Sequence, residues 1–453
     1  MSAPVVIIGG GIAGLSAAIT LLQAGHEVRV LEASGHAGGV MRSESVDGYL
    51  IEHGPNTVQA SGKHLAALID AVGLREQVVV SSPAAKDRFI FRAGGMRRLP
   101  TNPALMFGSS ALSPGGWWRM LQEPWQARPA TVDPEETVAN FMKRRLGQEA
   151  LDYLVDPFIS GIYAGDPEQL EVASAFPPLV EFERDAGSIL RGAMRARSAA
   201  RKAGAGPTLK GLLSFPDGLQ TLPNRIAELL GDRLSLSTRV EALHREDDRW
   251  QVETASESIK ASRVICATPA YIAADLLRPL DAALADLLAG IPYAGIAGVH
   301  LGYPESAFAK LPQGFGVLIP RNQNLQLLGA LFLSSVFPGR APAGQTLLTC
   351  FIGGFRNPGV MDLDEAALIA QIHADLQQVL GVRDNPSWSR VVRWPRAIPQ
   401  YVPGHGARIA EINARVASLG GLRLVGNYQS GISVDMAVGS GVRLGYDVAG
   451  ITG

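Results

Sequence analysis

The alternation of apolar and polar positions divides the chain into recognisable stretches. Val5-Val6-Ile7-Ile8 is a short β-branched run of the kind that forms a buried strand, and Leu15 to Ala24 has the composition of a helix. Gly9-Gly10-Gly11-Ile12-Ala13-Gly14 lies between them, and a second apolar run, Val28 to Leu31, follows. The pattern predicts strand, glycine turn, helix, strand. Residues 81–210 contain helix-like stretches, whereas 291–395 contain β-rich runs ending in turns such as Pro320-Arg321-Asn322 and Pro338-Gly339-Arg340. Gly204-Ala205-Gly206-Pro207 reads as a flexible joint after the basic run Arg191, Arg195, Arg197, Arg201, Lys202. No internal repeat is present.

Composition narrows the classes. At 453 residues the chain is long enough for two or three domains, and 47% hydrophobic with 18% charged residues describes a globule. With 41 basic against 42 acidic side chains there is no net field to hold a polyanion, so nucleic acid is not an expected partner. Cys266 and Cys350 are too few for a disulfide framework or a cysteine zinc site, which fits a reducing cytoplasm. None of the eight histidines sits in a metal-ligand or catalytic pattern, and no metal is expected. Residues 1 to 25 carry no charge, but Gly9, Gly10, Gly11 and Gly14 interrupt the run and no basic residue precedes it; neither a span nor a signal peptide is read there.

Gly9-x-Gly11-x-x-Gly14 between a strand and a helix has a direct chemical meaning. Glycines let the chain turn tightly and bring its backbone against a pyrophosphate, while the helix N-terminus presents free N–H groups to the negative charge. Glu32, eighteen residues beyond Gly14 and at the end of the second strand, is placed to accept a ribose hydroxyl. No second cradle of this kind occurs: Gly314-Phe315-Gly316 and Gly439-Ser440-Gly441 lack the third glycine and read as turn or close-packing glycines. Electrons are therefore expected from an organic substrate, leaving to oxygen or a quinone.

After Glu32, the stretch Gly38-Gly39-Val40-Met41-Arg42 resembles the extension found in FAD-dependent amine oxidases, phytoene desaturases and protoporphyrinogen oxidases. Arg263-Val264-Ile265-Cys266-Ala267-Thr268-Pro269 and Leu422-Arg423-Leu424-Val425-Gly426-Asn427 are similar to later strands of that superfamily's dinucleotide domain. Ser160-Gly161-Ile162-Tyr163-Ala164-Gly165-Asp166-Pro167, Gln313 to Pro320, Leu328 to Phe332, Phe351-Ile352-Gly353-Gly354 and Ile398-Pro399-Gln400-Tyr401 resemble oxygen-dependent protoporphyrinogen oxidases in order and spacing over essentially the whole chain.

That resemblance implies an α/β and α+β fold. A Rossmann-type FAD domain would be assembled from 1–80, 211–290 and 396–453, with a helical substrate- and membrane-facing insert at 81–210 and a β-rich substrate region at 291–395. It also implies FAD contacts at Gly9, Gly10, Gly11, Ile12, Ala13, Gly14, Glu32, Gly38, Gly39, Val40, Arg42, Gly54, Pro55, Asn56, Thr57 and Val240. Ile432, Ser433 and Val434 would lie under the isoalloxazine at the start of the last helix, where N–H groups stabilise the reduced flavin. For the substrate it implies that Arg88 meets a propionate, that Leu318, Leu328 and Phe351 sandwich the macrocycle, and that Gly161 lies near the carbon that loses hydride. Without the resemblance Arg88 is a surface charge, the three apolar residues are core, and Gly161 is a packing glycine. The chain departs from relatives at Gly406, where some place a tryptophan, and at Asp435-Met436.

The implied reaction takes protoporphyrinogen to protoporphyrin by removal of six electrons, with oxygen as acceptor and hydrogen peroxide released. Coproporphyrinogen, with four propionates in place of two, is the nearest alternative. A carotenoid desaturase, an amine oxidase lacking an identifiable aromatic cage, and a non-catalytic FAD-fold escort protein are more distant. Residues 102–125, with no charge from Asn102 to Trp118 and with Trp117, Trp118 and Trp125, read either as a peripheral membrane contact on the cytoplasmic face or as a buried loop. The basic run reads as a solvated helix face or a headgroup patch, and the sequence leaves the oligomeric state open between a monomer and a homodimer.

Overall fold

The computed structural model describes residues 3–60, 62–100, 109–129, 133–202 and 209–451. Residues 102–108 of the 102–125 stretch and the joint at 204–207 lie outside the described residues.

The strand Val5–Ile8 is buried at every position, as expected of a central strand covered on both faces. It pairs in parallel with Arg263–Cys266 on one side and Val28–Leu31 on the other, and Leu422–Leu424 and Leu234–Ser235 complete a five-stranded parallel sheet. Strands from 1–80, 211–290 and 396–453 thus meet in one sheet. The helix Ile12–Gln23 crosses the last helix, Val434–Ala449, at close range: a side chain at Gly441 would overlap the Ala13 carbonyl, and one at Gly445 would stand 2.8 Å from Thr20 Cβ. Gly439-Ser440-Gly441 therefore belongs to a helix that packs on helix, with no cradle at that place. A three-stranded antiparallel sheet, Val240–Glu246, Arg249–Thr254 and Ser258–Ala261, stands beside it.

The second layer is a seven-stranded mixed sheet in the order Trp388–Pro399, Tyr293–Pro304, Gln345–Gly353, Leu327–Leu331, Gly316–Leu318, Arg88–Arg92, Gly95–Arg98. One face, with Ala297, Val299, Val317, Ala330 and Cys350, is sealed by Leu368, Ile372 and Leu376 of the helix Glu365–Leu380. The 81–210 stretch is not wholly helical, contrary to the sequence expectation. Its hairpin Arg88–Arg92/Gly95–Arg98 joins this sheet, turning through Ala93 and Gly94, both at positive φ (51° and 70°). The described residues from 133 to 202 are mainly helical and cluster around Val138, Phe141, Leu151, Ile159 and Tyr163.

Candidate active site

The glycine turn has the shape its spacing predicts. Gly9 sits at φ 106°, and a side chain there would stand 2.9 Å from the Ala267 carbonyl; at Gly14 one would overlap the Gly9 carbonyl. Gly11 differs: nothing lies within 4 Å of where its Cβ would be. Gly11 is also the N-cap of the Ile12–Gln23 helix and no side chain caps it, so the first N–H groups face that open space. Gly38 donates to the Gly10 carbonyl (2.8 Å) and bridges to Gly11, which folds Gly38-Gly39 over the turn. Glu32 accepts from the Gly10 N–H (2.6 Å) and the Ser34 N–H (2.8 Å), leaving two of about four carboxylate lone-pair sites for a ribose.

Other expected cofactor residues converge here. A side chain at Gly54 would overlap the Val40 carbonyl, which brings the Gly54-Pro55-Asn56-Thr57 turn onto Val40. Thr238 donates to the Glu32 carbonyl (2.8 Å), two residues before Val240. Buried Asn56 Oδ1 and Ser430 Oγ have no hydrogen-bond partner within the protein. Ser433 caps the last helix, its hydroxyl accepting from the Met436 N–H (3.2 Å) and leaving Ile432 and Val434 at the helix mouth. Arg42 is exposed, and among the described residues its side chain makes no hydrogen bond to the cradle. An uncapped helix N-terminus over empty space, a poised carboxylate and orphaned buried acceptors fit a dinucleotide.

The substrate candidates are brought together by strand register. Leu318 is opposite Gly329, Gly329 opposite Phe351, and Phe351 opposite Gly298, so Leu318 and Phe351 share the sheet face not sealed by the long helix. Arg88 pairs with Gly316, two residues from Leu318 and on the same face; its guanidinium lies 5.2 Å from the Phe315 ring centroid. Among the described residues no carboxylate pairs with Arg88. Gly161 faces Leu318 from the helix Asp156–Tyr163: a Cβ there would stand 2.7 Å from Leu318 Cδ2. Leu328 sits where the register shifts and lines a cleft of about 120 Å³ with Ser160, Gly354, Arg321 and Arg356. Arg356 is committed to Asp156 (2.5 Å) and Ser160 (2.6 Å). A larger polar groove of about 810 Å³ near Ser43, Gln220 and Arg225 includes none of these residues.

Sequence reasoning did not find three buried groups on or beside this face. His300 bonds Thr349 Oγ1 (2.9 Å) and has no partner at Nε2. Burial pushes its pKa down to about 3. Gln400 and Tyr401 were visible only as part of a motif, because their partners lie far away in sequence. No group of side chains among the described residues could hold a metal ion.

Comparison with known proteins agrees with this geometry. The family of flavin containing amine oxidoreductases matches residues 12–448. A chloroplastic protoporphyrinogen oxidase of Nicotiana tabacum is 34% identical over 98% of this chain and 85% of its own length. The chain belongs to the protoporphyrinogen oxidase family. The family also contains the Bos taurus protoporphyrinogen oxidase, 30% identical over 99% of both chains. A Bacillus subtilis coproporphyrinogen III oxidase is 28% identical over 96% of both chains. The crystal structure of a putative protoporphyrinogen oxidase from Exiguobacterium superposes with a TM-score of 0.83 at 26% identity over 99% of both chains. Membership of this family makes the chain an FAD-dependent oxidoreductase.

Proposed function

We propose that this chain oxidises protoporphyrinogen IX to protoporphyrin IX in tetrapyrrole synthesis. Six electrons and six protons leave the macrocycle, three molecules of oxygen accept them, and three of hydrogen peroxide are released. The observation that carries the reading is one sheet face on which Leu318 and Phe351 form an apolar floor, Gly161 closes over it, and Arg88 stands at the edge. A macrocycle needs that floor; its propionates need that cation, whose planar fork suits a carboxylate. Bound FAD supplies the two-electron acceptor. The protein holds the ring flat, keeps water from the face and lets the bare Gly161 approach it.

Coproporphyrinogen is the second reading. It is favoured by the Bacillus subtilis relative and by Arg321 at the Leu328 cleft, where further propionates would require a cation. Purified holoprotein given each porphyrinogen in parallel, with porphyrin fluorescence and peroxide followed, tests both. Faster turnover of protoporphyrinogen supports the first, preference for coproporphyrinogen the second, and oxidation of neither overturns both.

A peripheral membrane contact belongs to the same reading. No helix among the described residues is long and apolar enough to cross a membrane. The helical insert exposes Trp118 (62%), Trp125 (76%) and Met194 (71%), with Phe158, Ile162 and Leu190 also exposed. Arg191 and Arg195 lie on the same helix as Leu190 and Met194, so exposed apolar and basic groups suited to a lipid interface occur on one helix. Flotation with anionic vesicles, lost in Trp118→Ser/Trp125→Ser, is the corresponding test.

A further inference from the structure

The strand Trp388–Pro399 leaves the substrate sheet and enters the nucleotide half through two successive residues, Gln400 and Tyr401, exposed by only 1% and 2%. Each is engaged on a different side of the site. Gln400 Nε2 donates to the Tyr163 carbonyl (2.9 Å) and to the Ile398 carbonyl (3.0 Å). Tyr163 is the last residue of the helix that carries Gly161, which ends at Ala164 in the left-handed conformation (φ 48°). The Phe355 N–H holds the Ala164 carbonyl from the other side (2.7 Å), so the end of this helix is fixed at two points.

Tyr401 faces the other way. Its hydroxyl donates to the Asn427 carbonyl and accepts from the Gly431 N–H (3.0 Å), closing the segment 427–431 with one buried phenol. Its carbonyl accepts from the Glu171 N–H (2.7 Å), and its ring stacks on His405 at 4.4 Å. His405 Nε2 in turn bonds the Tyr428 carbonyl (2.9 Å). Gly431 stands at φ 110°, a conformation with no intrinsic stiffness, immediately before Ile432-Ser433-Val434. Nothing but the phenol fixes the direction of its N–H among the described hydrogen bonds.

We propose that Gln400 and Tyr401 are a pair of positioning residues that set the separation between the substrate helix and the flavin-side turn. Gln400 fixes the end of the helix bearing Gly161. Tyr401 fixes the turn that presents the 432–434 backbone N–H groups. The proposal rests on the functional reading above, which places Gly161 by the reacting carbon and Ile432–Val434 by the isoalloxazine. Preorganised donors lose effect when their aim drifts, and a near-attack geometry is sensitive to shifts of about an ångström.

The test uses holoenzyme with Tyr401→Phe, which removes one oxygen and keeps the ring, and Gln400→Met, which keeps the volume and removes the amide. Tyr401→Phe is expected to lower the two-electron reduction potential, measured without substrate, by about 30 mV, a tenfold change in the equilibrium constant. It should also shift the visible flavin band. Gln400→Met is expected to leave the potential unchanged and lower kcat for the porphyrinogen about tenfold with KM within twofold. Gly165→Ala provides a second approach to the same joint, because its Cβ would stand 2.7 Å from Gln400 Oε1; it should reproduce the Gln400→Met effect. An unchanged potential and band in folded Tyr401→Phe, or unchanged kcat in both Gln400→Met and Gly165→Ala, would overturn the proposal. A wild type that binds FAD but oxidises no porphyrinogen would overturn the functional reading instead, and the potential of Tyr401→Phe would still decide the role of Tyr401.

Discussion

Gly11 and Gly14 stand three residues apart in one turn and do different work. A methyl group at Gly14 overlaps the Gly9 carbonyl and meets Ala267 Cβ at 3.0 Å, so Gly14→Ala should destabilise the fold by about 1–3 kcal/mol, read as a lowered Tm of the apoprotein. At Gly11 the same methyl meets nothing. Gly11→Val should therefore leave the apoprotein Tm nearly unchanged while the visible flavin band is lost, since the side chain fills the space the pyrophosphate needs. Normal flavin occupancy in that variant would remove the cradle assignment. On the substrate side, Arg88 lacks a carboxylate partner among the described residues and shares a face with Leu318. Arg88→Ala is expected to raise KM for the porphyrinogen about tenfold or more, with flavin content and kcat retained, as for loss of a charge-assisted contact made equally in ground and transition states. Unaltered KM would return Arg88 to the surface charges.

At the scale of elements, the helix Ile189–Lys202 shows what sequence pattern leaves out. One of its first N–H groups finds a local cap, Arg191 donating to the Ser188 hydroxyl (3.1 Å), and two are satisfied from a distance. Ile189 (2.9 Å) and Leu190 (3.2 Å) donate to the carboxylate of Glu123, which is fully buried and paired with an equally buried Arg145. Burial alone would raise the Glu123 pKa; the Ser188 hydroxyl, the two N–H groups and Arg145 more than reverse this and hold it below the ordinary value. Removing the cation strands a buried charge, so Arg145→Met should cost about 3–5 kcal/mol in denaturant unfolding, and adding Glu123→Gln should recover part of it. Equal stability of the single and double variants would contradict that. The nucleotide strands were legible because parallel strands buried on both faces read as continuous apolar runs, and the glycine spacing is local. The Glu123 anchor was not, since its partners lie 22 and 65 residues away. The Arg88–Arg98 hairpin was also missed: its turn is Ala93-Gly94, which lacks the Asn-Gly or Asp-Gly signal that usually marks a two-residue hairpin turn. The apolar floor of the site was visible only as strand composition. That Leu318 and Phe351 share a face depends on cross-strand register, which a single sequence does not carry.

In the whole molecule the two sheets meet along a seam in which the nucleotide half supplies the hairpin Ser43–Val46/Tyr49–Glu52. Tyr49 stacks on Trp388 at 4.4 Å, Trp394 Nε1 donates to the His53 carbonyl (2.7 Å), Arg390 pairs with Glu44 (2.9 Å), and buried Arg340 pairs with buried Glu52 (3.2 Å). His300 lies on the sheet face at this seam, opposite Arg390 in register and within the fields of His53 and Glu44. Burial is the main cause that lowers its pKa from 6.5 to about 3, and the His53 charge adds to it while Glu44 opposes it. The imidazole is thus neutral in the folded protein and protonated in the unfolded chain below pH 6.5. Its contribution to stability is complete above pH 6.5 and declines as pH falls from there toward 3, with a slope approaching about 1.4 kcal/mol per pH unit. His53 and His405, both lowered first of all by burial, titrate with the same sign, so they deepen the acid loss without depending on His300. His300→Asn keeps a group able to bond Thr349 and removes the titration. Chemical unfolding at a series of pH values between 8 and 4 should show it less stable than wild type at the upper end and flatter below pH 6.5, the two curves converging as the acid limb is entered. Parallel curves would mean that His300 already binds its proton within the seam, and that its Nε2 is a donor there instead of an unpartnered acceptor.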